Sequence, residues 1–378
     1  MGNQRVALLI APDSFKGSFN ASDVATFLAH GVGRVLKDRV SITILPMADG
    51  GEGTSDIAVN LGGIKETCAT QNIYGEPDGG GFWVRWGSRA IVEAAVGSKF
   101  IPEAQRKFPA TRTTSFGTGL LVSAAMAHPA VDEVLVALGG TGSTDGGIGF
   151  LEGVGAKLQD DAGRPVTPFG ENLGSVAAYQ LPPLPKPLIG LYDVAVPLLG
   201  DRGAVRLFGP QKGLGGEDLL NMERAMEHWA DVVQAHSGQS LALKPGAGAA
   251  GGMGFGILAS GGTLRPGAEA VAEWGELSAK SHASDWIITG EGRMDAQTEA
   301  GKAANLVIRQ AEAAKKPVIA VVGSRTENLE ALHQQGLTLV LPIPIGPMAY
   351  HEVLARTPEL LETVGEEIGW LIRSMINR

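Results

Sequence analysis

The chain of 378 residues has very little cysteine, an excess of negative charge and no long apolar run. Its single cysteine, Cys68, excludes an intrachain disulfide. No stretch reaches the roughly 18 consecutive apolar residues of a membrane-spanning helix, and no signal-type segment opens the sequence. The formal net charge of −9 disfavours nucleic acid and anionic membranes as partners, because both need a basic surface. We therefore expect a cytoplasmic protein that binds neither.

Several common catalytic and cofactor motifs are also missing. The seven histidines show no metal-binding spacing, and no serine has a histidine at a recognisable triad spacing. Gly301-Lys302 is not a Walker A motif, because Ala296 stands where that motif requires glycine. Residues 246–251 match the GxGxxG pattern, but Pro245 precedes them where a dinucleotide-binding fold needs a strand. A hydrolase triad, a P-loop and a dinucleotide fold are therefore all disfavoured.

Glycine is abundant instead. Its 54 residues are about twice the usual share of about 7%. Five short loops combine glycine with carboxylate, lysine or hydroxyl groups, at residues 12–17, 48–53, 139–147, 208–213 and 290–295. Glycine amides can cradle anions, and neighbouring acids can hold cations. This combination indicates phosphate and metal chemistry.

The order of apolar runs predicts an α/β fold. Buried strands at residues 6–10 and 41–45 are each followed by a glycine loop and a helix, which is typical of a doubly wound, mostly parallel sheet. Residues 286–289, 318–322 and 338–343 repeat this pattern near the C-terminus. We expect one Rossmann-like or flavodoxin-like domain from residues 1–74 plus 283–378. Residues 75–282, which begin with an antiparallel hairpin, form an inserted α/β domain with a mixed sheet.

Charged residues in the loops and at strand ends are candidates for the site. Mg²⁺ is bound by one or two carboxylates plus substrate phosphates. The acids available for this are Asp49, Glu52, Asp145, Asp193 and Asp295. Their alternative role is turn formation, which is common where aspartate meets glycine. Lys16 and Lys212 can neutralise phosphate or carboxylate, and Arg293 can bind a carboxylate through two hydrogen bonds or pair with a neighbouring acid.

The loops, in this order and spacing, resemble the bacterial type I glycerate kinase family. The resemblance spans almost the whole chain. It rests on APDSFKGSFNASDVA from Ala11, PMADGGEGT from Pro46, TTSFGTG from Thr113, GDRGAVRLFGPQKG from Gly200, PGAGAAGGMGFG from Pro245 and ITGEGRMDAQT from Ile288. It implies a two-domain α/β enzyme with its active site in the cleft between the domains. It also implies ATP- and Mg²⁺-dependent phosphorylation of D-glycerate, usually at the 2-hydroxyl group, to give 2-phosphoglycerate.

With that reaction in view, we assign hypothetical roles to the candidate residues. Phosphoryl transfer mainly requires positioning and neutralisation of charge. The ATP phosphates would be held, with help from Lys212, by Gly139, Gly140, Thr141, Ser143, Gly246 and Gly248. Magnesium would be held by Asp49, Glu52 and Asp145, and the carboxylate of the acceptor by Ser14, Lys16 and Arg293. Asp193 would accept the proton of the acceptor hydroxyl group.

Four segments differ from the family pattern. Thr144 and Val196 stand where the family has asparagine, and Leu120 stands where it has glutamate. The family's GKxPxGVA is Gly301-Lys302-Ala303-Ala304-Asn305-Leu306-Val307-Ile308 in this chain. Two alternatives therefore stay open, namely a kinase for another small hydroxy or sugar acid and a non-catalytic ligand-binding relative. The sequence does not distinguish a monomer from a homodimer.

Overall fold

The computed structural model describes residues 5–294 and 302–376. Asp295 and Gly301 lie outside these ranges. The described strands are β1 (Val6–Ile10), β2 (Val40–Ile44), β3 (Ile64–Thr67), β4 (Thr70–Gln71), β5 (Pro77–Asp78), β6 (Phe82–Trp86), β7 (Arg89–Glu93), β8 (Glu133–Ala137), β9 (Lys157–Gln159), β10 (Ala178–Gln180), β11 (Leu188–Tyr192), β12 (Thr263–Pro266), β13 (Trp286–Met294), β14 (Val318–Arg325) and β15 (Leu337–Pro342).

The α-helices connect these strands. They are α1 (Ala21–Leu36), α2 (Thr54–Asn60), α3 (Ala94–Ser98), α4 (Phe116–Ala127), α5 (Ile148–Gly153), α6 (Ala204–Lys212), α7 (Gly216–Ser237), α8 (Ala249–Ala259), α9 (Gly267–Trp274), α10 (Leu277–Ala283), α11 (Ala303–Ala313), α12 (Glu330–Gln334) and α13 (Tyr350–Ile376). No helix within residues 5–294 and 302–376 is long and apolar enough to cross a bilayer.

The chain divides into two compact units. Unit 1 consists of Met1–Asp49 and Ala268–Arg378, and unit 2 consists of Gly50–Gly267. Strands β3 and β12 pair with β6 and β11 in a sheet of unit 2, which explains why this unit begins and ends where it does. Both boundaries lie earlier in the chain than residues 74 and 282, where the sequence pattern placed them.

Unit 1 contains a five-stranded parallel sheet in the order β15-β14-β13-β1-β2. The two ends of the chain share this sheet through the pairing of β1 with β13, which confirms the predicted fold class. The prediction that the second strand is buried was wrong. Strand β2 is at the edge of the sheet, and Ile44 is 42% exposed. An apolar run does not reveal whether a strand has one neighbour or two.

Helices α1 and α13 of unit 1 pack closely against each other. A Cβ atom at Gly31 would collide with the backbone carbonyl of Glu362, and one at Gly365 would lie 2.6 Å from the carbonyl oxygen of Leu28. The two glycines therefore allow the helix backbones to approach each other. The adjoining core includes Leu28, Val32 and Ile368, each without exposed surface.

Unit 2 contains a six-stranded mixed sheet in the order β12-β11-β8-β7-β6-β3. Strands β12, β11, β8 and β7 are parallel, while β6 pairs antiparallel with both β7 and β3. The predicted hairpin corresponds to β6 and β7. A buried core around Trp83 and Phe150 involves this sheet, and a second core is built around Trp229 and Phe255.

Candidate functional site

In unit 1, the candidate residues lie at the edge of the parallel sheet that is formed by the carboxyl ends of its strands. Strand β1 leads to β2 on one side, while β13 leads to β14 and β15 on the other, so the strand order reverses between β1 and β13. Ligands of open α/β sheets bind at the carboxyl ends of the strands at such a point. The amide of Asp13 donates to the carbonyl of Gly290 at 2.8 Å, which joins the loop after β1 to the middle of β13.

Asp13 is the most perturbed acid of this edge. Its Oδ1 accepts a hydrogen bond from the amide of Ser14 at 2.6 Å. Burial, and next the negative charge of Asp49, raises the pKa of the Asp13 carboxyl from 3.8 to about 8. The Lys16 ammonium lies 3.9 Å from Asp49 Oδ2 and partly offsets this effect. Two carboxyl groups and a lysine are therefore grouped beside Ser14.

The other predicted residue of unit 1 is Arg293. It lies on β13, where it pairs in register with Ser324, and its side chain is exposed. Glu291, two residues earlier on the same strand, is 8% exposed and adds to the negative charge around Asp13. Unit 1 therefore brings Ser14, Lys16, Asp49 and Arg293 to the carboxyl edge of one sheet.

In unit 2, a second group forms around the loop after β8. The amide of Gly139 donates to the carbonyl of Gly50 at 3.3 Å. A Cβ atom at Gly139 would stand 2.5 Å from Gly51 Cα and 3.6 Å from Asp193 Oδ2. A Cβ atom at Gly140 would stand 3.9 Å from that of Glu52. The predicted residues Glu52, Gly139, Gly140 and Asp193 are therefore brought together.

Part of the loop's hydrogen-bonding capacity is already used. The amides of Gly142 and Thr144 donate to Ser98 and Thr113. Within the described residues, no acceptor is found for the amides of Gly140, Thr141 and Ser143. The buried hydroxyl groups of Ser143 and Thr144 also have no hydrogen-bond partner there. These donors are those expected of a loop that binds an anion.

Lys212 provides the positive charge of this group. It is 7% exposed, and its Nζ donates to the carbonyl oxygen of Ser143 at 2.7 Å. Burial lowers the pKa of the Lys212 ammonium from 10.5 to about 8, while the charges of Asp145 and Asp193 act in the opposite direction. The lysine predicted from the fourth loop is therefore placed directly behind the third.

Asp145 lies in the same region but has no exposed surface. Its side chain accepts hydrogen bonds from Ser115, Gly147 and Gly149. Burial raises the pKa of the Asp145 carboxyl, and these donors lower it. The structure thus places this candidate magnesium ligand inside a hydrogen-bond network.

The segment around Gly246 is tightly packed against neighbouring residues. A Cβ atom at Gly246 would collide with the ring of Tyr192, and one at Gly248 would collide with the carbonyl of Pro197. The amide of Gly248 donates to the carbonyl of Val196 at 3.0 Å. Close packing is thus a sufficient reason for these two glycines.

The donor set is suited to magnesium. Within residues 5–294 and 302–376, no three His, Cys, Asp or Glu side chains are grouped so as to hold a metal ion alone. Mg²⁺ does not need such a group, because phosphate oxygens and water complete its shell around one or two carboxylates. Asp49 beside Asp13 in unit 1, and Glu52 in unit 2, provide carboxylates of this kind.

Sequence reasoning missed two acids. Asp13 was available in the first glycine loop, but its unusual pKa depends on Asp49, which is distant in sequence. Glu93 ends β7, is 8% exposed and accepts a hydrogen bond from the amide of Ser55 at 2.7 Å. Burial raises the pKa of the Glu93 carboxyl. Nothing in the sequence around Glu93 indicates this contact.

Residues that differ from the family pattern are mostly buried. Thr144 is 1% exposed, Val196 is 5% exposed, and Ala303 and Ala304 in α11 are 0% and 1% exposed. Leu120 is half-buried in α4. None of these side chains adds a charged group to either site.

Known proteins and a solved structure are similar to this chain over most of its length. The glycerate kinase family model matches residues 8–373. The glycerate 2-kinase of Escherichia coli K12 is 35% identical over 347 residues, which cover 89% of this chain and 90% of that protein. A glycerate kinase of Bacillus subtilis 168 is 32% identical, with 97% of both chains covered. A crystal structure described as glycerate kinase 2 from Salmonella typhimurium LT2 matches with a TM-score of 0.84 at 31% identity, covering 99% of this chain and all of that one.

Proposed function

This chain belongs to the glycerate kinase family, and we propose that it transfers the γ-phosphoryl group of ATP to the 2-hydroxyl group of D-glycerate, giving 2-phosphoglycerate. It is an ATP-dependent phosphotransferase with an alcohol acceptor. The observation that best supports the proposal is the placement of Lys212. The buried Lys212 ammonium is fixed on the carbonyl of Ser143, next to the charges of Asp145 and Asp193. Phosphoryl transfer requires such a fixed cation and little other covalent chemistry.

In this proposal, unit 2 handles the nucleotide phosphates. The amides of Gly140, Thr141 and Ser143 donate to phosphate oxygens, and Lys212 neutralises part of their charge. Gly246 and Gly248 have a structural role in this proposal, because their tight packing fixes the backbone near Tyr192 and Val196. We therefore do not place phosphate directly on these two glycines.

Asp193 is the proposed proton acceptor. It follows β11, and its carboxylate lies against Gly139 at the start of the phosphate-binding loop. An ionised carboxylate is adequate for this role, because the loose transition state requires little deprotonation before transfer. Its main contribution is therefore to orient the acceptor hydroxyl group.

Unit 1 supplies groups suited to a hydroxy acid. We propose that Ser14, Lys16 and Arg293 bind the carboxylate of D-glycerate, since they combine a hydroxyl group with two exposed cations at one sheet edge. The sequence did not indicate a role for Asp13. We add it to the proposed site because the charge of Asp49 acts on its carboxyl group. Asp49 and Glu52 are the proposed magnesium-binding residues. Magnesium, when bound, neutralises the charge of the phosphates.

A coupled assay of ADP release tests the proposed substrate. Purified protein is incubated with ATP, Mg²⁺ and one member of a panel of small hydroxy and sugar acids that includes both enantiomers of glycerate. We expect the highest kcat/KM with D-glycerate. A higher value with another acid would reassign the acceptor, and ATP binding without turnover of any acid would indicate a non-catalytic relative.

A further inference from the structure

Asp145 is a carboxylate without exposed surface in unit 2. Its Oδ2 accepts hydrogen bonds from the amide of Ser115 at 2.6 Å, from the Ser115 hydroxyl group at 2.7 Å and from the amide of Gly149 at 3.2 Å. Its Oδ1 accepts one from the amide of Gly147 at 3.1 Å. Burial of an ionised carboxylate is costly, and such a set of donors is what offsets the cost.

The donors lie at the starts of two different helices. Ser115 immediately precedes α4, whereas Gly147 precedes α5 and Gly149 lies in its first turn. The Ser115 hydroxyl group also accepts a hydrogen bond from the amide of Phe150 at 2.8 Å. Asp145 and Ser115 therefore tie the first turns of α4 and α5 to each other.

The same carboxylate is linked to the phosphate-binding loop. Asp145 follows Thr144, whose amide donates to the hydroxyl group of Thr113 at 3.2 Å. Its negative charge acts on the Lys212 ammonium, which in turn binds the carbonyl of Ser143. A change at Asp145 is transmitted to this loop through the chain and through Lys212.

We propose that Asp145 is a positioning residue for phosphoryl transfer and not a ligand of magnesium. Its carboxylate fixes the loop Gly139–Ser143 and Lys212 in the arrangement that receives the phosphates of ATP. A metal ion on Asp145 would have to compete with the four donors that already bind its two oxygens. The inference rests on the proposed function and specifies how its phosphate site is held.

Calorimetry of ATP binding, with EDTA and with Mg²⁺, distinguishes the two roles. The variants are Asp145→Asn, Ser115→Ala and their double variant. Asp160→Asn is the matched control, because Asp160 also accepts backbone hydrogen bonds in unit 2, from Ala162 and Arg164 in the turn that follows β9. Circular dichroism and a thermal melt establish that each variant is folded.

If Asp145 is a positioning residue, each variant should bind ATP more weakly by the same factor with EDTA and with Mg²⁺. We expect about tenfold for Asp145→Asn and a smaller loss for Ser115→Ala, since each removes hydrogen bonds of a buried charged group. The double variant should lose less than the product of the single effects, because both residues belong to one network. The Mg²⁺ concentration for half-maximal turnover should stay within about twofold of the wild-type value.

Three results would overturn the inference. They are a loss of ATP affinity seen only with Mg²⁺, a tenfold rise in the Mg²⁺ requirement, and independent effects of the two substitutions. If Asp145→Asn does not fold, Ser115→Ala carries the same comparison alone. Failure of the proposed function is distinguishable, because wild-type protein would then bind ATP without phosphorylating D-glycerate while the calorimetric comparison still applied.

Discussion

The carboxylate of Asp193 lies against the backbone of Gly139, so that a Cβ atom at Gly139 would stand 3.6 Å from Asp193 Oδ2. Asp193 follows β11 and Gly139 follows β8, and these two strands are parallel neighbours in the sheet of unit 2. The contact brings the proposed proton acceptor to the start of the proposed phosphate-binding loop. Two substitutions test its importance separately.

Asp193→Asn should lower kcat by about a hundredfold, which is within the usual contribution of a positioned base. KM for ATP should change little, because the amide has nearly the shape of the carboxylate. Steady-state kinetics with D-glycerate provide the measurement, and Asp201→Asn is the control because Asp201 is exposed. Near wild-type turnover of Asp193→Asn would remove the residue from the mechanism.

Gly139→Ala should destabilise the protein by about 1–3 kcal/mol, because the added Cβ atom would stand 2.5 Å from Gly51 Cα, which is backbone and cannot rotate away. The matched control is Gly33→Ala in α1, where a Cβ atom meets nothing within 4 Å. That substitution should stabilise the protein by about 0.5–1 kcal/mol. Urea unfolding of both variants compares them, and equal effects would show that the space around Gly139 is larger than described.

Lys212 should set the alkaline limit of activity. The pKa of its ammonium group is lowered to about 8, so the positive charge on the phosphate site is lost above that pH. The contribution of Lys212 to the free energy of unfolding changes with pH in the opposite direction. The unfolded chain keeps the proton up to a pKa of 10.5, so the free energy of unfolding rises with pH between about 8 and 10.5 as far as Lys212 is concerned.

The pH profile of kcat/KM with ATP tests this assignment. Wild-type activity should decline above pH 8, whereas Lys212→Arg should remain partly active with a flat profile to pH 9, because arginine keeps its charge. Below pH 8, where wild-type Lys212 is charged, Lys212→Met should lose about a hundredfold or more. A decline at pH 8 that persists in Lys212→Arg would assign the alkaline limit to another group.

Much of the fold could be predicted from the sequence because it depends on local patterns. The run Val6–Ile10 and the later apolar runs are strands, and the pairing of β1 with β13 follows from the rules for parallel sheets. Position within the sheet was less predictable. Ile44 belongs to a similar apolar run but lies in an edge strand, because its neighbours are decided by the whole topology.

The sequence indicated most of the residues that form the candidate site, but not their contacts or protonation states. The glycine loops with Lys212 were evident, since charge beside glycine is a local signal, and Asp193 was identified from its place at a strand end and in the family pattern. The state of Asp13 was not evident, because its pKa depends on burial and on Asp49. The same holds for Asp145, whose donors include Ser115, thirty positions away in the chain. The roles of individual residues remain predictions.

Asp13→Asn should stabilise the protein at alkaline pH and weaken its activity. The folded chain holds the Asp13 proton up to about pH 8, whereas the unfolded chain releases it near 3.8, so stability is lost as pH rises between these values. The amide removes this dependence. Thermal melts at pH 5 and pH 8.5 should show a gain on the order of 1 kcal/mol for the variant only at the higher pH.

The control for Asp13→Asn is Asp38→Asn, which alters an exposed acid of unit 1. It should show no such difference between the two pH values. An equal stability of Asp13→Asn and wild-type protein at pH 8.5 would contradict the account of Asp13 as a carboxyl held against its charge by burial and by Asp49.

The central claim is that this chain phosphorylates the 2-hydroxyl group of D-glycerate. The most direct test is ³¹P NMR of a reaction that contains only the purified protein, ATP, Mg²⁺ and D-glycerate. The account predicts loss of the γ-phosphate signal, growth of ADP and appearance of one new resonance that coincides with added 2-phosphoglycerate. A resonance that coincides with 3-phosphoglycerate, or an ATP spectrum unchanged by D-glycerate, would contradict it.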